Sequence, residues 1–147
     1  MTSEHQEGVD RVVKILEHAK IGNLTTVDLQ GNLVSRPLAL QETDSEGNLW
    51  FFTQDPSPKA DEIRANPHVN VAVEDKEGYL SVSGRAEISH DQEKIQELWN
   101  ASASAWFEQG REDPSIALIK VNSDTAEYWV SDEPKIATFF KIGKSAV

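Results

Sequence analysis

Apolar residues alternate with polar ones along most of this sequence, and compact turns divide the alternating stretches into short strands. Such alternation predicts strands that bury one face. The first three strands are residues 21–27, 33–40 and 48–53, and turns at residues 28–31 and 44–47 separate them. Because these connections are short, neighbouring strands are expected to be antiparallel.

Further strands are predicted in the second half of the chain, at residues 69–73, 79–88, 116–121 and 125–130. The last two flank an apparent turn at residues 122–124, which read Asn-Ser-Asp. Gly84 interrupts the long strand 79–88, and a glycine at such a position indicates a bulge or a close backbone approach.

Helices are predicted between and before the strands. The first has apolar residues at helical spacing and Gly22 as its stop: Val9, Val12, Val13, Leu16 and Ala19. The second covers residues 58–65, with Ser57 as N-cap and Pro58 as its first residue. A third spans about residues 91–100, and residues 101–110 form a short helix or an ordered loop.

Six or seven antiparallel strands with flanking helices predict a mainly β fold of the α+β type, which closes into a barrel or a sandwich. The chain has 147 residues, the size of one ordinary domain, so residues 1–147 are expected to form a single domain.

Composition excludes several kinds of site and partner. The chain has no cysteine, so disulfides, thiolate metal sites and cysteine nucleophiles are excluded. Its net charge of −11 disfavours nucleic acid and anionic membranes as partners. No stretch approaches the ~20 apolar residues that cross a bilayer, and the polar start is unlike a signal peptide. A cytoplasmic location is therefore expected.

No familiar catalytic or nucleotide motif is present. The four histidines, His5, His18, His68 and His90, lack the spacing of metal ligands and are interpreted as structural or exposed. The sequence contains neither a G-x-G-x-x-G fingerprint nor a P-loop. No metal site and no catalytic acid or base is predicted.

The segment Ser57-Pro58-Lys59 is one candidate anion site. A helix N-terminus offers free N–H groups and a positive potential, which suit a phosphate. Lys59 in the first turn opposes the helix dipole, and a bound anion would resolve that conflict. The alternative is that Asp61 and Glu62 satisfy the dipole while Lys59 is solvated.

The segment Ser35-Arg36-Pro37 is a second candidate. Pro37 removes a ladder donor, so this strand lies at an edge or is bulged there. Such an edge leaves backbone groups free for a ligand, and Arg36 can bind an anion. The alternative is a solvated edge on which proline and arginine prevent aggregation.

Aromatic residues make up a third group of candidates. Trp50, Phe51 and Phe52 are consecutive on one strand, so both of its faces meet apolar surroundings. Core packing, a subunit interface or a stacked ring system explains such a run. Trp106 lies in an irregular stretch, where aromatic side chains commonly serve contacts.

Taken in order, these segments resemble the pyridoxamine 5′-phosphate oxidase-like flavoproteins, specifically the general stress protein 26 branch. The resemblance rests on Gly31 with Ser35-Arg36-Pro37, residues 47–53, Ser57-Pro58-Lys59, residues 66–69, residues 81–86, Leu98-Trp99 with Trp106-Phe107, and residues 127–129. Together these segments cover nearly the whole chain.

The resemblance implies a homodimeric split β-barrel that holds flavin mononucleotide (FMN), or alternatively FAD, between its subunits. In such proteins the strand matching Val34 to Pro37 lines the ring and the ribityl chain, while Arg36, Ser57 and Lys59 hold the phosphate. The segment matching Phe51 to Thr53 runs under the flavin, and the aromatic stretch matching Trp106 and Phe107, together with Trp129, reaches the flavin from the partner subunit. The implied cofactor-binding residues are Val34, Ser35, Arg36, Pro37, Phe51, Phe52, Thr53, Ser57, Lys59, Trp106 and Trp129.

The resemblance further implies an oxidoreductase of unknown substrate in a stress response. Two alternatives remain: a non-enzymatic protein that buffers or senses flavin, and an enzyme that uses a deazaflavin. The arginine–histidine pattern that binds substrate in true pyridoxamine 5′-phosphate oxidases is absent from the tail, which reads Lys141-Ile142-Gly143-Lys144. We therefore expect no activity on pyridoxamine 5′-phosphate.

Overall fold

Seven antiparallel strands form one curved sheet, and the helices pack around it. The computed structural model describes residues 3–76, 78–129 and 134–137. Its elements are α1 Ser3–His18, β1 Ile21–Val27, β2 Leu33–Thr43, β3 Leu49–Gln54, α2 Pro58–Ala65, β4 His68–Asp75, β5 Gly78–Ser89, α3 Gln92–Leu98, α4 Ala101–Ser104, a 3-10 turn Gly110–Glu112, β6 Ile116–Trp129 and β7 Pro134–Ala137. None of the helices in these ranges is long and apolar enough to cross a membrane.

The sheet closes into a barrel because β3 pairs with β6. The strand order is β3-β2-β1-β4-β5-β6-β7, and the additional β3–β6 pairing joins six of the seven strands into a ring. The seventh strand, β7, extends the edge of β6. The prediction of a mainly β, antiparallel barrel with flanking helices is therefore confirmed.

The barrel closes along only part of its length. β3 pairs with residues 40–43 of β2, whereas residues 33–39 of β2 pair with β1 alone among the described residues. Beyond the Leu40–Phe51 pair, β2 and β3 no longer pair. Pro37 lies on this unpaired edge, where a missing N–H disrupts no second ladder, so the predicted edge position is confirmed.

Two apolar clusters fill the fold on opposite faces of β3. The main cluster contains Phe51, which is fully buried, together with the apolar face of α1. The second cluster contains Trp50 and the partly buried Phe52, and it packs against α3 and Phe107. The prediction that both faces of this strand meet apolar surroundings is confirmed, with core packing as the reason.

The turn predicted at residues 122–124 is wrong, because β6 runs unbroken from Ile116 to Trp129. Ser123 pairs with Gly84 and Thr125 with Ser83, so Asp124 is the extra residue of a bulge. The polar residues that favour turns are also suited to a bulge, which is why the pattern was misleading. The bulge and close approach predicted at Gly84 are confirmed.

Gly22 also has another role than the predicted helix stop. The first helix ends at His18, and Gly22 lies inside β1. A Cβ atom at Gly22 would lie 2.9 Å from Cγ1 of Val71 on the neighbouring strand. This glycine therefore permits close packing inside the barrel.

We predict that Gly84→Ala destabilises the fold more than Gly22→Ala. A Cβ atom at Gly84 would lie 2.3 Å from the carbonyl oxygen of Asn122, which is backbone and cannot move without breaking the ladder. The expected loss is about 2–3 kcal/mol for Gly84→Ala and about 1 kcal/mol for Gly22→Ala, where a side chain can shift. Urea unfolding of both variants measures the difference, and equal losses would contradict this view of the bulge.

Candidate functional site

The start of α2 is fixed by local contacts. The Ser57 hydroxyl oxygen accepts a hydrogen bond from the Ala60 N–H at 3.1 Å, and Pro58 occupies the first helical position. The predicted N-cap and helix start are confirmed. Ala60 and Ile63 are buried, and α2 packs against β1 and β5.

A brace of charged side chains holds the connection between β3 and α2. Arg64 near the end of α2 donates to both carboxylate oxygens of Asp55, and His90 Nε2 lies 2.7 Å from Asp55 Oδ2. The hydrogen bonds from Arg64 and then His90 hold the pKa of Asp55 well below its usual range. His90 therefore has a structural partner, in line with its interpretation from sequence.

Arg36 belongs to a hydrogen-bond chain that links three elements, with Thr26 as its middle member. Its Nη1 donates to Thr26 Oγ1 at 2.7 Å, and the Thr26 hydroxyl donates to Glu62 Oε1 at 3.0 Å. Arg36 Nη2 is 3.5 Å from the same Glu62 oxygen. Thr26 is fully buried, and only 22% and 15% of the Arg36 and Glu62 side chains are exposed. This chain ties β2, β1 and α2 together.

Lys59 lies beside this chain at the positive end of α2. Burial lowers the pKa of Lys59, the nearby Arg36 charge lowers it further, and Glu62 opposes both effects. Lys59 forms no ion pair with any described residue. Two cations thus share one nearby carboxylate at a helix N-terminus, where positive charge is already unfavourable.

The backbone at this point also offers an open donor. Pro58 has no N–H, and the N–H groups of Ala60 and Asp61 donate to Ser57. Within the described part of the chain, the Lys59 N–H is left without an acceptor. Lys59 therefore presents an ammonium and a backbone N–H at the same helix end, a combination suited to an oxyanion.

The predicted residues of β2 border this position. Val34 and Arg36 project from one face of the strand, and Ser35 and Pro37 from the other. Val34, Ser35 and Pro37 are exposed, and the Ser35 hydroxyl hydrogen-bonds the Thr25 hydroxyl across the strands. The structure thus brings the β2 segment next to the start of α2.

The predicted residues of β3 contribute differently. The Phe51 side chain is fully buried in the barrel interior, and Thr53 is 5% exposed. Phe52 packs edge-on against Trp99 and Phe107, with ring centroids 5.9 and 6.2 Å apart. What this strand offers to a ligand is the backbone edge of residues 52–54, which has no partner strand in β2.

The two predicted tryptophans lie near opposite ends of β6 within one subunit. Trp106 is 76% exposed, and its carbonyl oxygen accepts a hydrogen bond from Gln54 at the end of β3. Trp129 pairs with Tyr79 at the opposite end of β6 from Ile116, the residue that pairs with Gln54. One chain does not bring both tryptophans to the Lys59 site.

Two residues of this site were not predicted as site residues: Thr26 was not singled out, and Glu62 was considered only as an acid that satisfies the helix dipole. The available signal was weak. Thr26 occupies an inward position of β1, and Glu62 lies three residues after Lys59, on the same face of α2.

A family model described as pyridoxamine 5′-phosphate oxidase like matches residues 7–147 of this chain. The chain belongs to this family. The predicted family membership is thereby confirmed, and the general stress protein 26 branch is supported by the solved structures described next.

Protein bli-3 of Neurospora crassa is 34% identical over 124 residues, which are 76% of this chain and 59% of that protein. The chain therefore spans less than two thirds of this relative. Among solved structures, general stress protein 26 of Bacillus anthracis has a TM-score of 0.79 and 29% identity, covering 90% of this chain and 98% of the other. A general stress FMN/FAD binding protein of Xanthomonas citri has a TM-score of 0.73 and 30% identity, covering 90% and 92%.

In this family member, we predict that substitutions around Lys59 shift its pKa in opposite directions. Arg36→Gln should raise the pKa of Lys59 towards the usual value of a lysine, because one of the two causes that lower it is removed. Glu62→Gln should lower the pKa of Lys59, because the charge that opposes burial and Arg36 is lost. NMR titration of the lysine side chain measures both shifts. Asp61→Asn is the control and should leave the pKa of Lys59 unchanged. The same pKa of Lys59 in all three variants would show that Lys59 titrates independently of Arg36 and Glu62.

Proposed function

We propose that this protein binds FMN, with the phosphate held at the start of α2 by Lys59, Arg36 and the open backbone N–H of Lys59. The observation that carries the proposal is the partly buried Lys59, which has no ion-pair partner among the described residues and lies beside Arg36 at the positive end of a helix. That arrangement costs stability in the absence of a ligand and suits a phosphate. The Xanthomonas citri relative, described as binding FMN or FAD, supports the same ligand class.

Charge supports a local, short-range mode of binding. The whole chain carries a net charge of −11, so long-range electrostatics oppose an anionic ligand. Lys59, Arg36 and Glu62 together leave one positive charge at the site, in a partly buried setting where screening by salt is reduced. Binding must therefore come from contacts made at the site itself.

The split between β2 and β3 is the proposed place for the flavin ring. Val34 and Pro37 are exposed on the unpaired edge of β2, and the edge of residues 52–54 faces away from β6. The backbone groups of both edges are available to the polar rim of the ring. Phe51 and Phe52 contribute indirectly: their packing in the main and the second apolar cluster fixes the position of β3.

The chemistry belongs to the cofactor: bound FMN supplies hydride or electron transfer, and the protein supplies binding and orientation. We place no acid or base of this chain beside the ring. The proposed activity is therefore that of an oxidoreductase whose substrate and electron donor are open. FAD carries the same ring system and phosphate and is the second cofactor to test.

The alternatives differ in what happens after binding. A flavin that a nicotinamide reduces and that reoxidises rapidly indicates an enzyme. A bound flavin that no nicotinamide reduces favours a flavin-buffering stress protein. Mass identification of the molecule released by boiling separates FMN, FAD and deazaflavin.

We predict that Lys59→Ala weakens FMN binding by about 10- to 150-fold. Hydrogen bonds to charged groups contribute about 1.5–3 kcal/mol each, and ~1.4 kcal/mol corresponds to tenfold in affinity. Riboflavin lacks the phosphate, so its affinity should barely change. Titration of each protein with both ligands, followed by flavin fluorescence, provides the measurement.

Lys76→Ala is the matched control, since it removes the same charge from an exposed turn. It should leave both affinities within about twofold, as expected for a distant charge in physiological salt. Without ligand, Lys59→Ala should be as stable as the parent or slightly more so, because a cation leaves the positive end of a helix. If Lys59→Ala weakens the binding of FMN and of riboflavin equally, Lys59 does not bind the phosphate.

We also predict a homodimer in which Trp106 reaches the flavin held by the partner subunit. Trp106 is 76% exposed, an unusual position for so large an apolar side chain unless it serves a contact. The interface should bury more than the ~1,200 Å² typical of specific complexes. Sedimentation of the FMN-bound protein at micromolar concentration measures the assembly, and a monomer would contradict it.

A mixing experiment tests the shared site directly. Lys59→Glu and Trp106→Ala chains each lack functional sites as homodimers. Their heterodimer carries one site with both residues intact, so random mixing should restore roughly a quarter of all sites. If mixtures never bind FMN better than either parent, Lys59 and Trp106 do not act across an interface.

A further inference from the structure

The Glu62 carboxylate lies inside the same cluster that offers its positive charges to a phosphate. Glu62 Oε1 accepts from Thr26 at 3.0 Å and lies 3.5 Å from Arg36 Nη2. Its side chain is 15% exposed, and among the described residues it is the acidic neighbour that raises the pKa of Lys59. A site built only to attract a phosphate would not place a carboxylate there.

We propose that Glu62 is an internal counter-anion that sets the affinity and charge selectivity of the phosphate site. This inference rests on the proposed binding of FMN through its phosphate. In the ligand-free protein, Glu62 offsets the repulsion between Arg36 and Lys59 and holds Arg36 towards α2. When a phosphate binds, the same carboxylate is a like charge beside it and weakens its hold.

The neighbouring acid on the helix does not share this role. Asp61 is 64% exposed and pairs with Arg64 at 3.8 Å, away from Arg36 and Thr26. The two carboxylates are adjacent in sequence yet project in different directions, as helix geometry requires. Asp61 is therefore a matched control: it carries the same charge on the same helix but does not contact Arg36 or Thr26.

The net charge of the site determines how strongly Glu62 weakens the binding of a charged ligand. Lys59, Arg36 and Glu62 sum to one positive charge, and a phosphate monoester carries about −1.5 to −2 at neutral pH. The positive charge of the site is therefore smaller than the negative charge of the FMN phosphate. Ligands that differ only in phosphate charge should respond differently when Glu62 is neutralised.

Glu62→Gln tests the proposal, because glutamine keeps the oxygen that accepts from Thr26 and Arg36 while removing the charge. We expect FMN to bind about 10-fold more tightly, the scale of one nearby like charge in a partly screened setting. Riboflavin affinity should not change. The ligand-free variant should unfold at a lower urea concentration than the parent, since Arg36 and Lys59 lose their shared carboxylate.

Asp61→Asn, titrated alongside, should leave the FMN affinity within about twofold of the parent, as expected for an exposed charge screened by salt. Unchanged or weaker FMN binding by Glu62→Gln would overturn the proposal, as would equal tightening by Asp61→Asn. A parent protein that binds FMN and riboflavin equally would instead reject the proposed function itself.

A measurement on the unmodified protein covers the case in which Glu62→Gln is too unstable to titrate. The proposal makes Glu62 and a bound phosphate compete for Arg36, so FMN should loosen the Arg36–Glu62 contact and riboflavin, which has no phosphate, should leave it in place. The Arg36 side-chain NMR resonance should therefore shift on addition of FMN and stay in place with riboflavin. A resonance that FMN leaves unmoved would overturn the role assigned to Glu62.

Discussion

The pairing of β2 with β3 over only part of their length is the constraint on which the candidate site depends. Past the Leu40–Phe51 pair the two strands separate, and each is left with an edge that no other described residue pairs with. The chain leaves β3 at Gln54 and starts α2 at Pro58. The helix N-terminus is thereby brought to the open half of the barrel, where Arg36 on β2 meets Glu62 on α2.

Local charge at this position differs from the charge of the whole molecule. The chain is strongly acidic, yet two cations, Arg36 and Lys59, lie together at the positive end of a helix with the Glu62 carboxylate beside them. Thr26, fully buried, fixes that carboxylate and Arg36 at the same time. The arrangement keeps the cations oriented without a ligand while leaving the Lys59 ammonium and N–H open to one.

Features set by neighbouring residues could be predicted from the sequence. The start of α2 is marked by the adjacent residues Ser57 and Pro58, so its cap and first residue were predicted correctly. The contact between Thr26 and Glu62 was missed because it joins residues 36 positions apart in the chain, and no local pattern encodes it. The false turn at residues 122–124 arose because bulges and turns use the same polar residues. The closing β3–β6 pair likewise follows from tertiary packing, so periodicity alone left barrel and sandwich equally open.

The central claim is that the phosphate of a flavin binds at Lys59 and Arg36, and calorimetric titration of the unmodified protein with FMN and riboflavin tests it most directly. Two charge-assisted contacts of about 1.5–3 kcal/mol each predict that FMN binds at least ~100-fold more tightly than riboflavin. Raising the salt concentration should reduce the difference between the FMN and riboflavin affinities, because part of that difference is electrostatic. Equal affinities for the two ligands would contradict the claim.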